Sequence, residues 1–116
     1  MHAITNTKQS YMTLDGFKRG ECMKLTNKLI HDITKILLHY GAKHQKGKAS
    51  EELCELENAI FEESLLNCSH DHVKEEIADV YVMLEQLKKI YHFTDMEIKE
   101  VMEFKVKRQL ERMEKE

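Results

Sequence analysis

Not one proline interrupts this 116-residue chain, and it carries only four glycines. Proline breaks helices and glycine weakens them, so their scarcity favours long uninterrupted helices. Charged residues make up 34% and apolar residues 41%, a globular mixture rather than a disordered one. The charged share is rich in Glu and Lys, which with abundant Leu and Met are helix formers rather than strand formers. The expected class is therefore all-α. A chain this short buries only a modest core, so helix faces left uncovered predict pairing with another subunit.

Hydrophobic spacing divides the chain into four helices. Residues 1–22 are polar and aperiodic, with a turn-like Asp15-Gly16, and read as a tail or short capping segment. The domain proper is expected over 23–116. A first helix from about Met23 to Tyr40 repeats Leu25, Leu29, Ile33, Ile36, Leu37 and Tyr40, and Gly41 stops it. The basic, glycine-bearing stretch Ala42 to Lys48 reads as a loop. A second helix, about Ser50 to Leu66, carries Leu53, Leu56, Ile60 and Leu65. Asn67 to Asp71 breaks the pattern, with Ser69 or Asp71 placed to cap the next helix. That third helix, His72 to Tyr91, repeats Val73, Ile77, Val80, Leu84, Leu87 and Tyr91. Thr94-Asp95-Met96-Glu97 is a capping box that opens a fourth. The predicted architecture is a four-helix bundle.

Several function classes lose support at this level. A net charge of −3 provides no basic surface for nucleic acid. No apolar run approaches the roughly 20 residues of a membrane span, and residues 1–10 lack a secretory core. Three cysteines, Cys22, Cys54 and Cys68, are an odd number without CxxC spacing. They suit reduced thiols and a cytoplasmic location.

Two acidic stretches stand apart: Glu51-Glu52-Leu53-Cys54-Glu55-Leu56 and Glu75-Glu76-Ile77-Ala78-Asp79-Val80. Residues three apart are neighbours on a helix, about 5–6 Å between Cβ atoms. Glu52 with Glu55, and Glu76 with Asp79, are each spaced to converge on one cation. A rotation of about 100° per residue puts Leu53, Leu56 and Ile60 in one stripe, with Glu52 on its edge and Glu55 just outside. Glu76 and Asp79 flank Ile77, Val80 and Leu84 in the same way. If the stripes face each other, both acidic pairs border one groove. A lone ExxE ordinarily decorates a solvated helix face; two copies in phase with two apolar stripes are less easily explained so. Four carboxylates in a partly desolvated groove repel, and require protons or cations. Oxygen-only ligation selects a hard cation, Mg²⁺ with Mn²⁺ as substitute. Because Mg²⁺ shares its shell readily with phosphate oxygens, a phosphorylated substrate is expected.

The double motif, EExxE followed by ExxD, resembles that of the MazG-like all-α nucleoside triphosphate pyrophosphohydrolase superfamily. Tyr40-Gly41-Ala42 ahead of it and Phe104-Lys105-x-x-Arg108 after it extend the likeness to about residues 25–113. The resemblance implies cleavage between the α and β phosphates of a nucleoside triphosphate, giving a monophosphate and pyrophosphate. It also implies Mg²⁺ dependence, a homodimer or homotetramer, and metal ligation by Glu52, Glu55, Glu76 and Asp79. Many relatives carry a tryptophan ahead of the first motif, and this chain has none. Glu51 and Glu75 are candidates for the base that takes a proton from the attacking water. Lys105, Arg108 and Arg112, on successive turns of the last helix, are candidates for binding phosphate. Lys43, Lys46 and Lys48 read more simply as a solvated basic loop.

Other signals rank lower. Cys68-Ser69-His70-Asp71-His72 lacks the second cluster a zinc site needs. His31-Asp32 and His70-Asp71 are too short a match to HD-type phosphohydrolases. A di-iron bundle needs Glu-x-x-His on two helices, and no histidine has a glutamate three positions before it. The alternative from another class is a non-catalytic helical dimerisation protein whose acids are merely solvated.

Overall fold

The computed structural model describes residues 23–66 and 69–116; the tail assigned to 1–22 and the Asn67-Cys68 part of the break lie outside them. The described residues form four helices and no strand: α1 (Asn27–Tyr40), α2 (Ala42–Leu66), α3 (His70–Ile90) and α4 (Asp95–Glu114). The all-α expectation holds, and no helix among these residues is long and apolar enough to cross a membrane.

Local chemistry sets the helix ends. Thr26 caps α1, its hydroxyl accepting from the Leu29 N–H at 3.1 Å. Gly41 ends it at φ +88°, ψ 160°, with its N–H bonded to the Leu37 carbonyl at 2.8 Å. That backbone region is open essentially to glycine alone, and side chains there cost about 1–3 kcal/mol. Ser69 caps α3 through the Asp71 N–H, so the cap lies one residue before the helix rather than at Asp71. The Thr94–Glu97 capping box forms reciprocally at 3.0 and 3.1 Å. Lys88 bonds Glu85 at 2.6 Å and also Asp95, tying the end of α3 to the start of α4.

The stretch Ala42–Lys48 is not a loop. α2 begins directly after Gly41 and runs through it. Gly47 sits inside that helix with open space around its Cα, a cost of about 0.5–1 kcal/mol relative to alanine. Burial of Gln45 and Ala49 against α3, on either side of it, offsets that cost. The two glycines therefore predict opposite outcomes in urea denaturation. Gly41→Ala should destabilise by about 1–3 kcal/mol, and Gly47→Ala should stabilise by about 0.5–1 kcal/mol.

α2 and α3 form an antiparallel pair, with Gln45 meeting Gln86, Glu52 meeting Asp79, and Glu63 meeting His70. The buried and half-buried residues of α2 are Gln45, Ala49, Glu52, Leu56, Ala59 and Glu63. Their steps of four and three are those of a coiled-coil-like contact. Facing them on α3 are Val73, Glu76, Val80, Met83 and Gln86. The predicted stripe is thus rotated by one residue. Leu53, Ile60, Ile77 and Leu84 are each 41–50% exposed, whereas Ala49 and Ala59 are at 3% and 1%. Small side chains let the helix axes approach closely, and the larger apolar ones turn outward.

α1 lies against both partners and contributes Ile33 and Leu37 to the core. A buried amide chain locks the three helices. The Gln45 amide donates to the Gln86 carbonyl oxygen at 2.9 Å, and the Gln86 amide donates to the Ile33 backbone carbonyl at 3.2 Å. Gln86 is the most enclosed large side chain, at 1% exposure. Gln86→Leu nearly preserves volume but strips Gln45 of its acceptor, so chemical denaturation should register a loss of about 1–3 kcal/mol. α4 buries no residue at all.

Candidate metal centre

The seam places two acids where a helix pair normally buries apolar side chains. Glu52 enters from α2 between Ala49 and Leu56, and Glu76 enters from α3 between Val73 and Val80. Asp79, one turn beyond Glu76, completes the group. One carboxylate oxygen from each of Glu52, Glu76 and Asp79 lies within 4.8 Å of the other two. Opposite oxygens of an Mg²⁺ shell are about 4 Å apart, twice the usual metal–oxygen distance. At least two of the three pairs must be adjacent ligands, about 3 Å apart in an octahedral shell, so the side chains would have to draw together to hold such an ion. Among the described residues this is the one convergent group of three or more potential metal ligands.

Glu76 gives the group its meaning. The residue is 8% exposed, and its Oε2 is buried with no hydrogen-bond partner. Burial pushes its carboxyl above the usual range, and Asp79, Glu55 and Glu52 push it further while His72 opposes them. Asp79 is raised too, by desolvation first and by Glu52 next, with Lys48 acting against both. An unpartnered carboxylate oxygen facing two further acids needs a proton or a cation.

The fourth expected ligand, Glu55, is exposed and outside the three-way convergence, although it is near enough to influence Glu76. Glu51 is exposed and bridged to Lys48 at 3.6 Å. Glu75 is exposed, 4.0 Å from His72, and outside the three-way convergence, although it is near enough to push Asp79 upward. Lys105, Arg108 and Arg112 are not brought to the site within one chain. All three ride on α4, and Arg108 lies over the ring of Phe104 on its own helix, 5.6 Å from the centroid.

The cation that does reach the acids is Lys48, whose place in the sequence reads as a solvated loop. Its Nζ is 3.1 Å from Glu52 Oε1. Lys48 and Glu52 stand four positions apart on one continuous helix, so the spacing is visible in the sequence; a glycine-bearing basic stretch disguises it.

Lys48, Glu51, Glu52 and Asp79 line part of a cleft of about 1110 Å³ between α1, α2 and α3. Ile36, Tyr40 and His44 line another part. The Tyr40 and His44 rings stack with centroids 4.9 Å apart and planes at 18°. His44 is further held by Gln45, 2.7 Å from its Nδ1. At 1.5 Å rise per residue, His44 lies roughly 12 Å along α2 from Glu52.

Comparison with protein-family models, curated proteins and solved structures finds no match. The reading of this centre rests on its own chemistry. The donor set is oxygen only, three carboxylates on two antiparallel helices, and the cleft that Glu52 and Asp79 line also holds Lys43, Lys48 and an aromatic pair. Such a set fits a hard divalent cation and an anionic, partly aromatic ligand.

Proposed function

We propose that the chain is a Mg²⁺-dependent nucleoside triphosphate pyrophosphohydrolase, acting on a ribo- or deoxynucleoside triphosphate in the cytoplasm. The observation that carries this is Glu76, a carboxylate buried in a helix seam with an oxygen that lacks any partner except the acids beside it. Burying charge without partners is costly, and a cation held by Glu52, Glu76 and Asp79 relieves that cost. The double acidic motif resembling that of the MazG-like superfamily supports the same assignment.

Glu52, Glu76 and Asp79 hold the ion, with Mn²⁺ as substitute, and Glu55 joins them by rotating inward from its exposed position. When bound, Mg²⁺ supplies Lewis-acid stabilisation of phosphate charge and lowers the pKa of water beside it. Glu51, on the cleft wall, accepts the proton of the attacking water; Glu75, which does not line the cleft, is the less well placed candidate. The Tyr40–His44 pair offers the base a stacking surface, and the cleft separates it from the acids by about the length of a nucleotide.

Lys105, Arg108 and Arg112 serve this chemistry only from a second subunit. The half-exposed Leu53, Ile60, Ile77 and Leu84, with an α4 that buries nothing, favour a homodimer or homotetramer. The same apolar faces favour the second reading, a non-catalytic helical dimerisation protein. A panel of nucleoside triphosphates with Mg²⁺ separates the two. Pyrophosphate and a nucleoside monophosphate are expected for at least one member, lost with Asp79→Asn. Orthophosphate as sole product would assign cleavage to another bond, and no turnover with any member would favour the dimerisation protein.

A further inference from the structure

Lys48 occupies an unusual place for a helix-surface lysine. Its partner Glu52 is not a solvated acid but a seam residue whose side chain is 13% exposed. Among the described residues, Lys48 alone forms ion pairs with acids of the cluster, reaching Glu52 at 3.1 Å and its neighbour Glu51 at 3.6 Å. It also opposes the upward push on Asp79. One ammonium thus stands against three converging carboxylates, one of which, Glu76, is 8% exposed with an unpartnered oxygen.

A divalent ion bound by the same Glu52 would lie within a few ångströms of that ammonium. Two cations so close repel, and Glu52 Oε1 cannot serve both fully. Lysine is a compact charge on a flexible stem, with rotatable bonds enough to swing. Where it swings is limited by what lines the cleft. Glu51 is its one other acid partner, and that side chain is 70% exposed, a weak alternative in water. Phosphate oxygens of a ligand entering the cleft are a stronger one.

We propose that Lys48 is a positioning residue that stands in for the metal's charge in the unloaded site and passes from Glu52 to a phosphate oxygen when metal and polyphosphate bind together. The inference rests on the metal-centre reading above and adds a coupling to it. Metal alone must break the Lys48–Glu52 pair without compensation. Metal with polyphosphate replaces that pair by a Lys48–phosphate contact. By linkage, each ligand then raises the affinity for the other, and bare cation is bound weakly until substrate arrives. This accounts for a lysine placed beside acids that need a divalent ion.

The test is Mn²⁺ binding to the full chain by calorimetry, with and without inorganic tripolyphosphate and with metal in excess over it. Lys48→Met should bind Mn²⁺ alone about threefold more tightly, since an exposed ion pair no longer competes. It should bind the Mn²⁺–tripolyphosphate complex about tenfold more weakly, since a charge-assisted hydrogen bond is lost. Lys48→Arg, which keeps the charge, should stay within about twofold of the parent on both readouts. Lys74→Met, which removes an exposed lysine paired with Asp71 at 3.4 Å and not with the cluster, should change neither. Unchanged or weaker Mn²⁺ binding by Lys48→Met would overturn the stand-in role. Unchanged binding of the complex would overturn the transfer to phosphate, as would an arginine variant that behaves like methionine. A parent chain that binds no Mn²⁺ would instead remove the metal centre itself, an outcome distinct from the others.

Discussion

Glu76→Gln should abolish the rise in melting temperature expected on adding Mg²⁺, while making the metal-free protein more stable than its parent. Both halves come from one observation, the buried and unpartnered Oε2. In the parent, an ion at a hundred times its dissociation constant adds about 2.7 kcal/mol. For a domain of this size that is a rise of roughly 10 °C. The variant loses a ligand and so loses that gain. It also loses a charge that Asp79, Glu55 and Glu52 all repel, so without metal its melting temperature should exceed the parent's. A residue chosen for stability would show the opposite sign. Turnover should fall by roughly 10²–10³-fold, in line with the several kcal/mol that a catalytic metal supplies. Scanning calorimetry in EDTA and in Mg²⁺, on parent and variant, reads both stability effects at once. A Glu76→Gln protein that is less stable than its parent without metal would remove the argument from buried charge.

The second large effect is a stability that falls toward neutral pH in the absence of metal. Glu76 and Asp79 hold their protons above the usual carboxylate range in the folded chain. The folded state therefore binds more protons than the unfolded state across that window, and stability declines as pH rises through it. Their contribution is fully present below the ordinary carboxylate values and is gone once pH passes the raised ones. Asp95 and Glu97 run the other way. The first is lowered by Lys88 and the second by its bonds to Thr94, so their contributions are lost on acidification. Both, however, belong to the first turn of α4, which buries nothing, and govern the fraying of that turn more than unfolding of the core. In EDTA the melting temperature should thus decline as pH rises above the ordinary carboxylate range. Saturating Mg²⁺ should flatten the decline, and so should the double variant Glu76→Gln/Asp79→Asn without metal. A metal-free melting temperature that climbs steadily as pH rises above the ordinary carboxylate range would contradict the raised carboxyls.

The acidic centre is legible in the sequence because helical spacing is nearly invariant. Glu76 and Asp79 three apart must share a face, and a matched pair on the preceding helix predicts a meeting across the seam. What the pattern misjudges is phase. Leu53 and Ile60 outweigh Ala49 and Ala59 in hydrophobicity, so a reading by apolar size puts the leucine stripe inward. Helix approach is governed by the smallest side chains at the contact, and Ala49 and Ala59 mark it. Shifted by one residue, the seam runs through Gln45, Glu52 and Glu63, polar residues that a hydrophobic count discards. The shift also explains why Glu52 converges with Glu76 and Asp79 while Glu55 faces solvent. Lys48 is hidden for a different reason. Gly47 among lysines looks like a loop, and only packing of Gln45 and Ala49 on α3 keeps the helix intact there. The capping box of α4 is readable, being local; what α4 packs against is not, because its apolar residues find no partner within the described chain.

Anomalous scattering from a crystal grown with Mn²⁺ decides whether Glu52, Glu76 and Asp79 together bind a divalent cation. A manganese peak is expected between α2 and α3, bonded to an oxygen of each of these three side chains at roughly 2.2 Å, with Lys48 Nζ withdrawn from Glu52. A well-ordered cluster with no peak, or manganese bound only elsewhere while Lys48 stays on Glu52, would contradict the metal centre.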